Sequence, residues 1–291
     1  MGKVQSRLNK RKSSHSSQCS ISDDDKRDQT AYEYINKRKY FSSYILPLDS
    51  DEVDRLTLQH YIFNNIWGGD FSSPVCDLLE RGGAKVLDVG CGPGVFVLEM
   101  ANKYPKNSFV GMDIANNYPL FIKPENASFQ RADITNGLPF PDNSFDFVYM
   151  RFMMLAITIE NWQFAIDELV RVCKPGGWIE VMERDIYWYN EGEMVNEWRT
   201  RVVEGLRKER NIELNISSHI PGYFTSNKQL TNFASTAYAE VVKWGAKNFS
   251  NAVSHKFPGD YETLVEIAME ELEKNKAFDK SYRFWAMKKH L

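Results

Sequence analysis

The residues with the clearest chemical potential are an acid and the glycine-rich loop that follows it. Asp88 lies in a β-favouring run, and Gly90, Gly92 and Gly94 follow it at every second position. Apolar residues with helical spacing come next, so the stretch predicts a strand, a tight turn and a helix. Glycine allows positive φ angles and lets a ligand approach the backbone closely. An aspartate at the end of the strand disfavours a phosphate and favours a ligand that carries cationic groups.

Two further acids come at the ends of the next strand-like runs. Asp113 lies 23 residues after Gly90, about where a βαβ unit places an acid that binds a ribose diol, and Asp133 ends the third run. A ligand with both a ribose and cationic ammonium and sulfonium groups is S-adenosylmethionine (SAM). A dinucleotide is the alternative, but the loop has the spacing GxGxG rather than GxGxxG, and Asp88 would face a pyrophosphate with like charge.

The elements that must position these acids follow from periodicity and turn signals. A proline-containing turn precedes a fourth strand over residues 145–150, and helical spacing predicts a helix over 162–173. The Lys-Pro-Gly-Gly run at 174–177 is expected to end that helix. The other predicted elements are a helix near 50–66, a fifth strand at 178–182, an amphipathic helix near 194–210 that forms a lid beside the pocket, a sixth strand at 238–244, a helix near 260–275 and a seventh strand at 282–287.

Five motifs in this order resemble the class I SAM-dependent methyltransferases. They are VLDVGCGPG at 86–94, the acid Asp113, the pair Ala132-Asp133, LPFPDNSFDFVY at 138–149 and KPGGWIEVME at 174–183. The resemblance implies an α/β fold with a doubly wound, seven-stranded, mostly parallel Rossmann-like sheet, preceded by a helical lead-in and carrying a helical insert after strand five. It also implies an enzyme that transfers a methyl group from SAM.

A shorter upstream motif resembles the fungal LaeA-like methyltransferases. The sequence RLTLQH at 55–60 matches the RLxxQH helix that precedes the core in that group, although the loop here is GCGPG where the group more often has GTGTG. Because LaeA-like proteins are linked with regulation of secondary metabolism, a SAM-binding regulatory protein with little conventional turnover stays open as the alternative function.

The resemblance also assigns residues to the cofactor. It implies that Asp133 contacts the adenine amino group, that Arg151 lies at the mouth where the methyl group is transferred, and that the helix carrying His60 covers the methionine end of SAM. The respective alternatives are a turn acid for Asp133, a solvated surface arginine for Arg151 and ordinary helix–sheet packing for the helix with His60. The full predicted set is Asp88, Gly90, Cys91, Gly92, Gly94, Asp113, Ile114, Asp133, Ile134, Arg151, Arg55 and Gln59.

No catalytic residue is identifiable from the sequence. Alignment of an acceptor with an activated methyl donor can lower a barrier by roughly 7–11 kcal/mol, and a general base is needed only if the acceptor must lose a proton. Tyr187, Trp188 and Tyr189 follow the predicted fifth strand and could line an acceptor pocket, although aromatic residues at a strand end more often belong to a core. The expected acceptor is a small molecule or a protein.

Composition excludes several classes of protein. The sequence contains no apolar run long enough to cross a bilayer, and its four cysteines are scattered without a CxxC pair, which fits reduced thiols in the cytoplasm or nucleus. No cluster of histidines with cysteines or acids indicates a metal site. Residues 1–20 carry a charge of +5, whereas the remainder has 31 basic and 39 acidic residues and a charge of −8. An acidic body argues against a nucleic-acid partner.

The chain is expected to divide into a disordered tail over residues 1–30, a helical lead-in over 31–83 and a methyltransferase core over 84–291, with the insert at about 186–230. The tail begins with the pattern MGxxxS, which predicts N-myristoylation of Gly2. An acyl chain together with the basic residues of 1–12 would favour peripheral membrane contact. A plain basic tail or a nuclear localisation signal is the alternative.

Overall fold

The computed structural model of the protein describes residues 32–35, 38–41, 44–241 and 261–290. The described residues from Glu33 onward belong to one compact unit. The predicted tail, including Gly2, lies outside the described residues. Among the helices of the described ranges, none is both long and apolar enough to cross a membrane.

The described strands and helices alternate through most of the chain. In order they are β1 (Tyr32–Ile35), β2 (Arg38–Phe41), α1 (Ser50–Trp67), α2 (Cys76–Arg81), β3 (Lys85–Val89), α3 (Val95–Lys103), β4 (Ser108–Asp113), β5 (Ala127–Arg131), β6 (Phe145–Arg151), α4 (Trp162–Val172), β7 (Cys173–Arg184), α5 (Glu193–Arg210), α6 (Ile220–Ser226), β8 (Leu230–Val241), α7 (Tyr261–Lys274) and β9 (Phe278–Lys288), with short 3₁₀ turns at Ile134–Asn136 and Ile216–Ser218. Strands β1 and β2, which the sequence did not predict, form a separate two-stranded sheet.

The main sheet has seven strands in the order β5-β4-β3-β6-β7-β9-β8. The first five are parallel neighbours, and β9 runs antiparallel between β7 and β8. The chain winds outward from β3 to β5 and then crosses back to β6, so the order of the strands reverses between β3 and β6. This arrangement confirms the predicted doubly wound, mostly parallel fold.

The two faces of the sheet carry two hydrophobic cores. Side chains alternate between faces along a strand, so Val86 packs on one face of β3 and Leu87 on the other. Helices α2 and α3 cover the face of Val86, whereas α4, α5, α6 and α7 contribute to the larger core on the face of Leu87. Continuous burial of β3 on both faces explains why its sequence is apolar at every position except Lys85 and Asp88.

Helix α1 brings the lead-in to the sheet with well-defined ends. The Asp49 side chain caps the helix by accepting a hydrogen bond from the backbone N–H of Glu52 at 3.0 Å. Gly68 ends it in the left-handed region, with a φ of 62°. Between these ends, the side of α1 that carries Gln59 and His60 is buried.

Three strands differ from their predicted bounds, and the simplest case is β9, which begins at Phe278 rather than at 282. β7 includes the Lys-Pro-Gly-Gly run, because the chain passes directly from α4 into pairing with β6 and a register shift there absorbs the glycines. β8 begins at Leu230 rather than at 238, and residues 242–244 of the predicted strand lie outside the described range. The early part of β8 has no apolar alternation, and its backbone pairing with β9 determines its structure.

Helix α5, the predicted lid, is a structural part of the core. Its apolar side chains Val195, Trp198, Val202 and Leu206 are buried in the larger core. None of the residues that line the two cavities described below belongs to this helix. Helix α5 therefore contributes to the core and lines neither cavity.

Candidate functional site

A cavity of about 290 Å³ opens at the carboxyl ends of the parallel strands. The loops after β3, β4, β5 and β6 form its floor and sides, and α1 covers it. It lies at the point where the strand order reverses, which is the position where open α/β sheets bind ligands. We call this space the first cavity.

The glycine-rich loop has the backbone conformation that only glycine adopts readily. Gly90, Gly92 and Gly94 have φ angles of 72°, 53° and 80°. A Cβ atom on Gly94 would lie 2.6 Å from the Phe129 ring, which is stacked on Tyr118 and has little room to move. Gly94 therefore cannot carry a side chain without displacement of this aromatic pair.

Asp113 and Asp133 line the first cavity and also hold the backbone around it. One Asp113 oxygen accepts a hydrogen bond from the Gly92 amide at 2.8 Å, and the other accepts from the Ala115 amide at 2.9 Å. Asp133 accepts from the amide and hydroxyl of Thr135 at 2.9 and 2.8 Å, so it caps the turn that follows. Each carboxylate retains unused lone pairs for a ligand, because a carboxylate has about four acceptor positions.

Asp88 has a different environment from these two acids. It is 1% exposed, and both carboxylate oxygens lack a hydrogen-bond partner among the described residues. Burial raises its pKa to about 7; the charge of Arg151 opposes the rise, and the charge of Asp113 adds to it. Asp88 does not line the first cavity. It lies beneath the loop as an uncompensated acid, which is an expensive arrangement that evolution rarely keeps without a function.

Arg151, His60 and Glu99 form a chain of polar contacts at the wall of the first cavity. The Arg151 Nη2 lies 2.8 Å from His60 Nδ1, and His60 Nε2 lies 2.7 Å from a Glu99 oxygen. Arginine is always a donor, so Nδ1 must accept and Nε2–H must donate to Glu99. The guanidinium also lies over the rings of Phe96 and Tyr149 at 5.7 and 5.9 Å. These contacts fix the position of the Arg151 side chain, so Arg151 is not a solvated surface arginine.

The same histidine belongs to a group that could in principle hold a metal ion. His60, Asp70 and Glu99 each place a ligand atom within 4.8 Å of the others. Both ring nitrogens of His60 are already engaged, and Asp70 pairs with Lys103 at 3.0 Å. A cation would have to displace one of these contacts and would lie close to the Arg151 guanidinium. The geometry therefore favours the hydrogen-bonded contacts of Arg151, His60 and Glu99 over a metal ion.

The His60 contacts predict a pH dependence of stability. Burial and the neighbouring Arg151 charge lower the pKa of His60 below its ordinary value of 6.5. The unfolded chain therefore binds a proton more readily than the folded protein, and stability falls as the pH drops below about 6.5. We expect the loss of melting temperature between pH 7.5 and 5.5 to be smaller in His60→Gln than in the wild type. Equal losses in the two proteins, measured by thermal unfolding, would contradict the assignment.

A second cavity, of about 90 Å³, adjoins the first. Tyr44, Leu56, Gln59 and Phe152 line both. Arg55, predicted as a cofactor residue, lines only the second cavity; it binds Glu52 through two contacts of 2.6 and 2.8 Å and donates to Gln59 Oε1 at 2.7 Å. Arg55 thereby fixes the orientation of the Gln59 amide between the two cavities.

The three aromatic residues after β7 lie in two different environments. Trp188 is buried, stacks on Trp198 with ring centroids 5.1 Å apart and lines the second cavity. The side chains of Tyr187 and Tyr189 are partly exposed, and the protein's own Arg199 and Lys280 lie over their rings at 4.6 and 4.2 Å. Of this group, only Trp188 therefore faces the space next to the predicted cofactor site.

The structure brings most of the predicted residues together. The predicted residues that line the first cavity are Gly90, Cys91, Gly92, Asp113, Ile114, Asp133, Ile134, Arg151 and Gln59, whereas Asp88, Gly94 and Arg55 do not. Burial raises the pKa of the Cys91 thiol well above its usual range, so this residue contributes as an apolar wall and not as a nucleophile.

Sequence reasoning missed two residues of the site. His60 is not in the predicted set, for which ordinary helix–sheet packing was the alternative, although its position one residue after Gln59 places it on the same buried side of α1. Glu183, in the second cavity, is with Glu180 one of two fully buried acids of β7. An acid within a buried strand is itself a signal, because such a side chain must find a partner or a function.

The match to known proteins agrees with this geometry. Residues 86–177 match the model of the family described as "Methyltransferase domain". Residues 86–177 therefore form a methyltransferase domain, and the chain is similar to the class I SAM-dependent methyltransferases and to LaeA, as the sequence motifs predicted.

Three relatives illustrate the range of proteins that it resembles. A "Secondary metabolism regulator laeA" of Coprinopsis cinerea is 29% identical over 57% of this chain and 41% of its own length. An "N-methyltransferase tcpN" of Claviceps purpurea is 35% identical over 49% of this chain and 52% of its own length. The chain thus spans about half the length of these relatives. A solved phosphoethanolamine N-methyltransferase 2 of Haemonchus contortus is 16% identical over 74% of this chain and 52% of that one, with a TM-score of 0.49, a similarity too low to bear on function.

Proposed function

We propose that the protein binds SAM in the first cavity and transfers its methyl group to an acceptor held beside it. The observation that carries the proposal is the convergence of the glycine-rich loop, Asp113 and Asp133 on one cavity at the reversal of the strand order. When bound, SAM supplies a methyl group on a positively charged sulfur, which is already activated for transfer. The protein therefore has to bind, orient and exclude water.

The residues of the first cavity suit the parts of this ligand. Asp113 has lone pairs left for a ribose diol after it has ordered the Gly92 and Ala115 amides. Asp133 is suited to an adenine amino group, with Ile114 and Ile134 as apolar walls for the ring. These assignments are proposals that follow from the chemistry of the side chains.

Asp88 supplies a test of fit that is independent of the cavity lining. Its buried carboxylate has no partner of opposite charge in contact, and the loop above it faces the first cavity. A cationic ligand above the loop would lower the cost of this negative charge, whereas a pyrophosphate would raise it. The residues present therefore fit SAM better than a dinucleotide.

The proposal is tested by calorimetric titration of the full chain with SAM and, separately, with NAD. Binding of SAM at micromolar concentrations without binding of NAD is the expected result, and the absence of SAM binding up to millimolar concentration would overturn it. Release of S-adenosylhomocysteine in a lysate supplemented with SAM then tests turnover. Tight binding without release would favour the regulatory alternative, which the resemblance to secondary metabolism regulators keeps open.

Replacement of Asp113 is expected to weaken SAM binding strongly. The Asp113→Ala variant loses the proposed ribose contact and two charge-assisted hydrogen bonds that order the loop. At about 1.5–3 kcal/mol for a hydrogen bond to a charged group, we expect the SAM dissociation constant to rise about 100-fold. Titration calorimetry measures it. An unchanged dissociation constant in a folded Asp113→Ala protein would show that this acid has only a structural role.

We further propose, from the sequence pattern alone, that Gly2 is myristoylated and that residues 1–12 contact anionic membranes, with the cytoplasm or the nucleus as the compartment. These residues lie outside the described part of the chain. The intact mass of protein purified from its native cells tests the modification, and an unmodified or acetylated Gly2 would reject it.

A further inference from the structure

Glu183 is the feature of the second cavity that the proposed cofactor site does not use. Its side chain is completely buried at the carboxyl end of β7. Oε1 accepts a hydrogen bond from the Met153 amide at 2.6 Å, and Oε2 has no partner among the described residues. A buried carboxylate oxygen that faces a cavity without a partner is available to a ligand.

A second acid in the same cavity has an unpartnered oxygen. Asp185 is 8% exposed, lines the second cavity and has no partner for Oδ1 in the described part of the chain. The two arginines that line the cavity have carboxylate partners of their own, since Arg55 binds Glu52 and Arg184 binds Asp279. Two acids thus line the second cavity, and each has one buried oxygen without a partner among the described residues.

Apart from Tyr44, Gln59 and the indole N–H of Trp188, the remaining walls are apolar. They include Leu46, Phe152, Met154, Leu155 and Trp188. The volume of about 90 Å³ accommodates a small apolar group, and the aromatic rings add a surface that favours a cation. The occupant therefore combines a small apolar body with hydrogen-bond donors or a positive charge.

We propose that the second cavity holds the methyl acceptor and that this acceptor is a small apolar amine bound by Glu183 Oε2 and Asp185 Oδ1. The proposal rests on the methyl transfer proposed above and names its substrate class. An ammonium group can donate to both acidic oxygens and neutralise their charge. An alcohol has one proton to donate and leaves one of the oxygens without a partner.

The position of the cavity suits transfer between the two ligands. Tyr44, Gln59 and Phe152 line both cavities, so their occupants would lie on either side of the same few side chains. Met153 connects the sites in a second way, because its amide binds Glu183 and its side chain lines the first cavity. Occupation of one cavity is thus expected to affect the other.

Glu183 can also remove the proton that an ammonium group must lose before it attacks. The N–H bond breaks with its electron pair staying on nitrogen, and the proton forms an O–H bond with Oε2. Burial raises the pKa of Glu183 to about 8, the nearby Asp185 charge adds to the rise, and the amides of Met153 and Met154 oppose it. This pKa is closer to the pKa of about 10 of a free alkylammonium than an ordinary glutamate pKa is, which makes the proton transfer less unfavourable.

The first test compares benzylamine with benzyl alcohol as probes of equal size. The full chain, with and without S-adenosylhomocysteine, is titrated at pH 8 in a calorimeter. We expect benzylamine to bind at least tenfold more tightly than benzyl alcohol. Glu183→Gln should lose this preference, whereas Glu180→Gln should keep it, because Glu180 is a buried acid of the same strand that binds the Ser72 and Ser73 amides.

The second test measures the number of protons released on binding rather than the affinity. At pH 7 the free Glu183 is protonated, so binding of the benzylammonium ion should release about one proton to the buffer. Titrations in two buffers with different ionisation enthalpies measure this number. Glu183→Gln should release none, and thermal unfolding verifies that it is folded.

The outcomes separate the two proposals. Equal affinity for the two probes, or an undiminished preference in folded Glu183→Gln, which still has Asp185, would overturn the amine assignment while SAM binding by the same proteins remained. Loss of SAM binding in the wild type would instead overturn the proposed function. Strong SAM binding by Glu183→Gln, with the amine preference lost, is the result that supports both.

Discussion

Asp88→Asn is expected to stabilise the ligand-free protein and to weaken its binding of SAM. The buried, unpartnered carboxylate has a pKa raised by burial to about 7, whereas an ordinary aspartate titrates near 4. Ionisation in the folded state therefore costs up to ~4 kcal/mol, at about 1.4 kcal/mol for each pKa unit. Because the buried amide of asparagine also lacks a partner, we expect a net gain of about 2 kcal/mol in the free energy of unfolding at pH 8.

The sign of the pH dependence makes this prediction specific. A raised pKa in the folded state means that the penalty grows as the pH rises from about 4 to 7 and is constant above that range. The advantage of Asp88→Asn should therefore be small at pH 5 and complete at pH 8, as measured by urea unfolding. An advantage of the same size at both values would show that the variant acts through packing rather than charge.

The binding half of the prediction distinguishes a functional acid from an accident of packing. We expect the SAM dissociation constant of Asp88→Asn to rise at least tenfold, since the charge beneath the loop is lost. Asp146→Asn is the matched control: Asp146 already accepts from the Lys85 amide and pairs with Lys174, so this variant should gain no stability and should bind SAM normally. A stabilised Asp88→Asn protein that binds SAM as the wild type does would leave the acid without its proposed role.

Trp198→Ala is expected to have the largest effect on stability. Trp198 is completely buried in the larger core, where it stacks on Trp188. Removal of a buried tryptophan side chain costs about 3–5 kcal/mol, because apolar contact is lost and a cavity remains. Urea unfolding measures the change, and near-ultraviolet circular dichroism should show that the aromatic pair is lost.

This variant also tests whether helix α5 supports the second cavity. Trp188 lines that cavity and loses its stacking partner in Trp198→Ala, so the benzylamine affinity should fall along with stability. Thr200→Ala, at an exposed position of the same helix, should change the free energy of unfolding by less than about 0.5 kcal/mol. A loss below about 1 kcal/mol in Trp198→Ala would mean that the insert is only loosely attached to the core.

The local sequence predicted those parts of the site that are formed by residues close together in the chain. The loop from Gly90 to Gly94 needs positive φ angles, and glycine spacing states that requirement directly. Asp113 ends β4 and Asp133 follows the end of β5 by two residues, and the carboxyl ends of these parallel strands share one edge of the sheet, so their convergence followed from the strand order. The same reasoning could not show that Asp88 turns beneath the loop and lies outside the first cavity.

The positions of Glu183 and His60 in the site depended on tertiary packing. The side chain of Glu183 meets the Met153 amide, 30 residues earlier, and His60 meets Arg151 across 91 residues. No pattern along the chain encodes such pairings, because side-chain direction at the end of a strand depends on which helix covers it. The amino-acid sequence by itself determined the fold class and the type of cofactor; the packing of α1 and β7 against the loop decided where a second ligand can lie and which acid faces it.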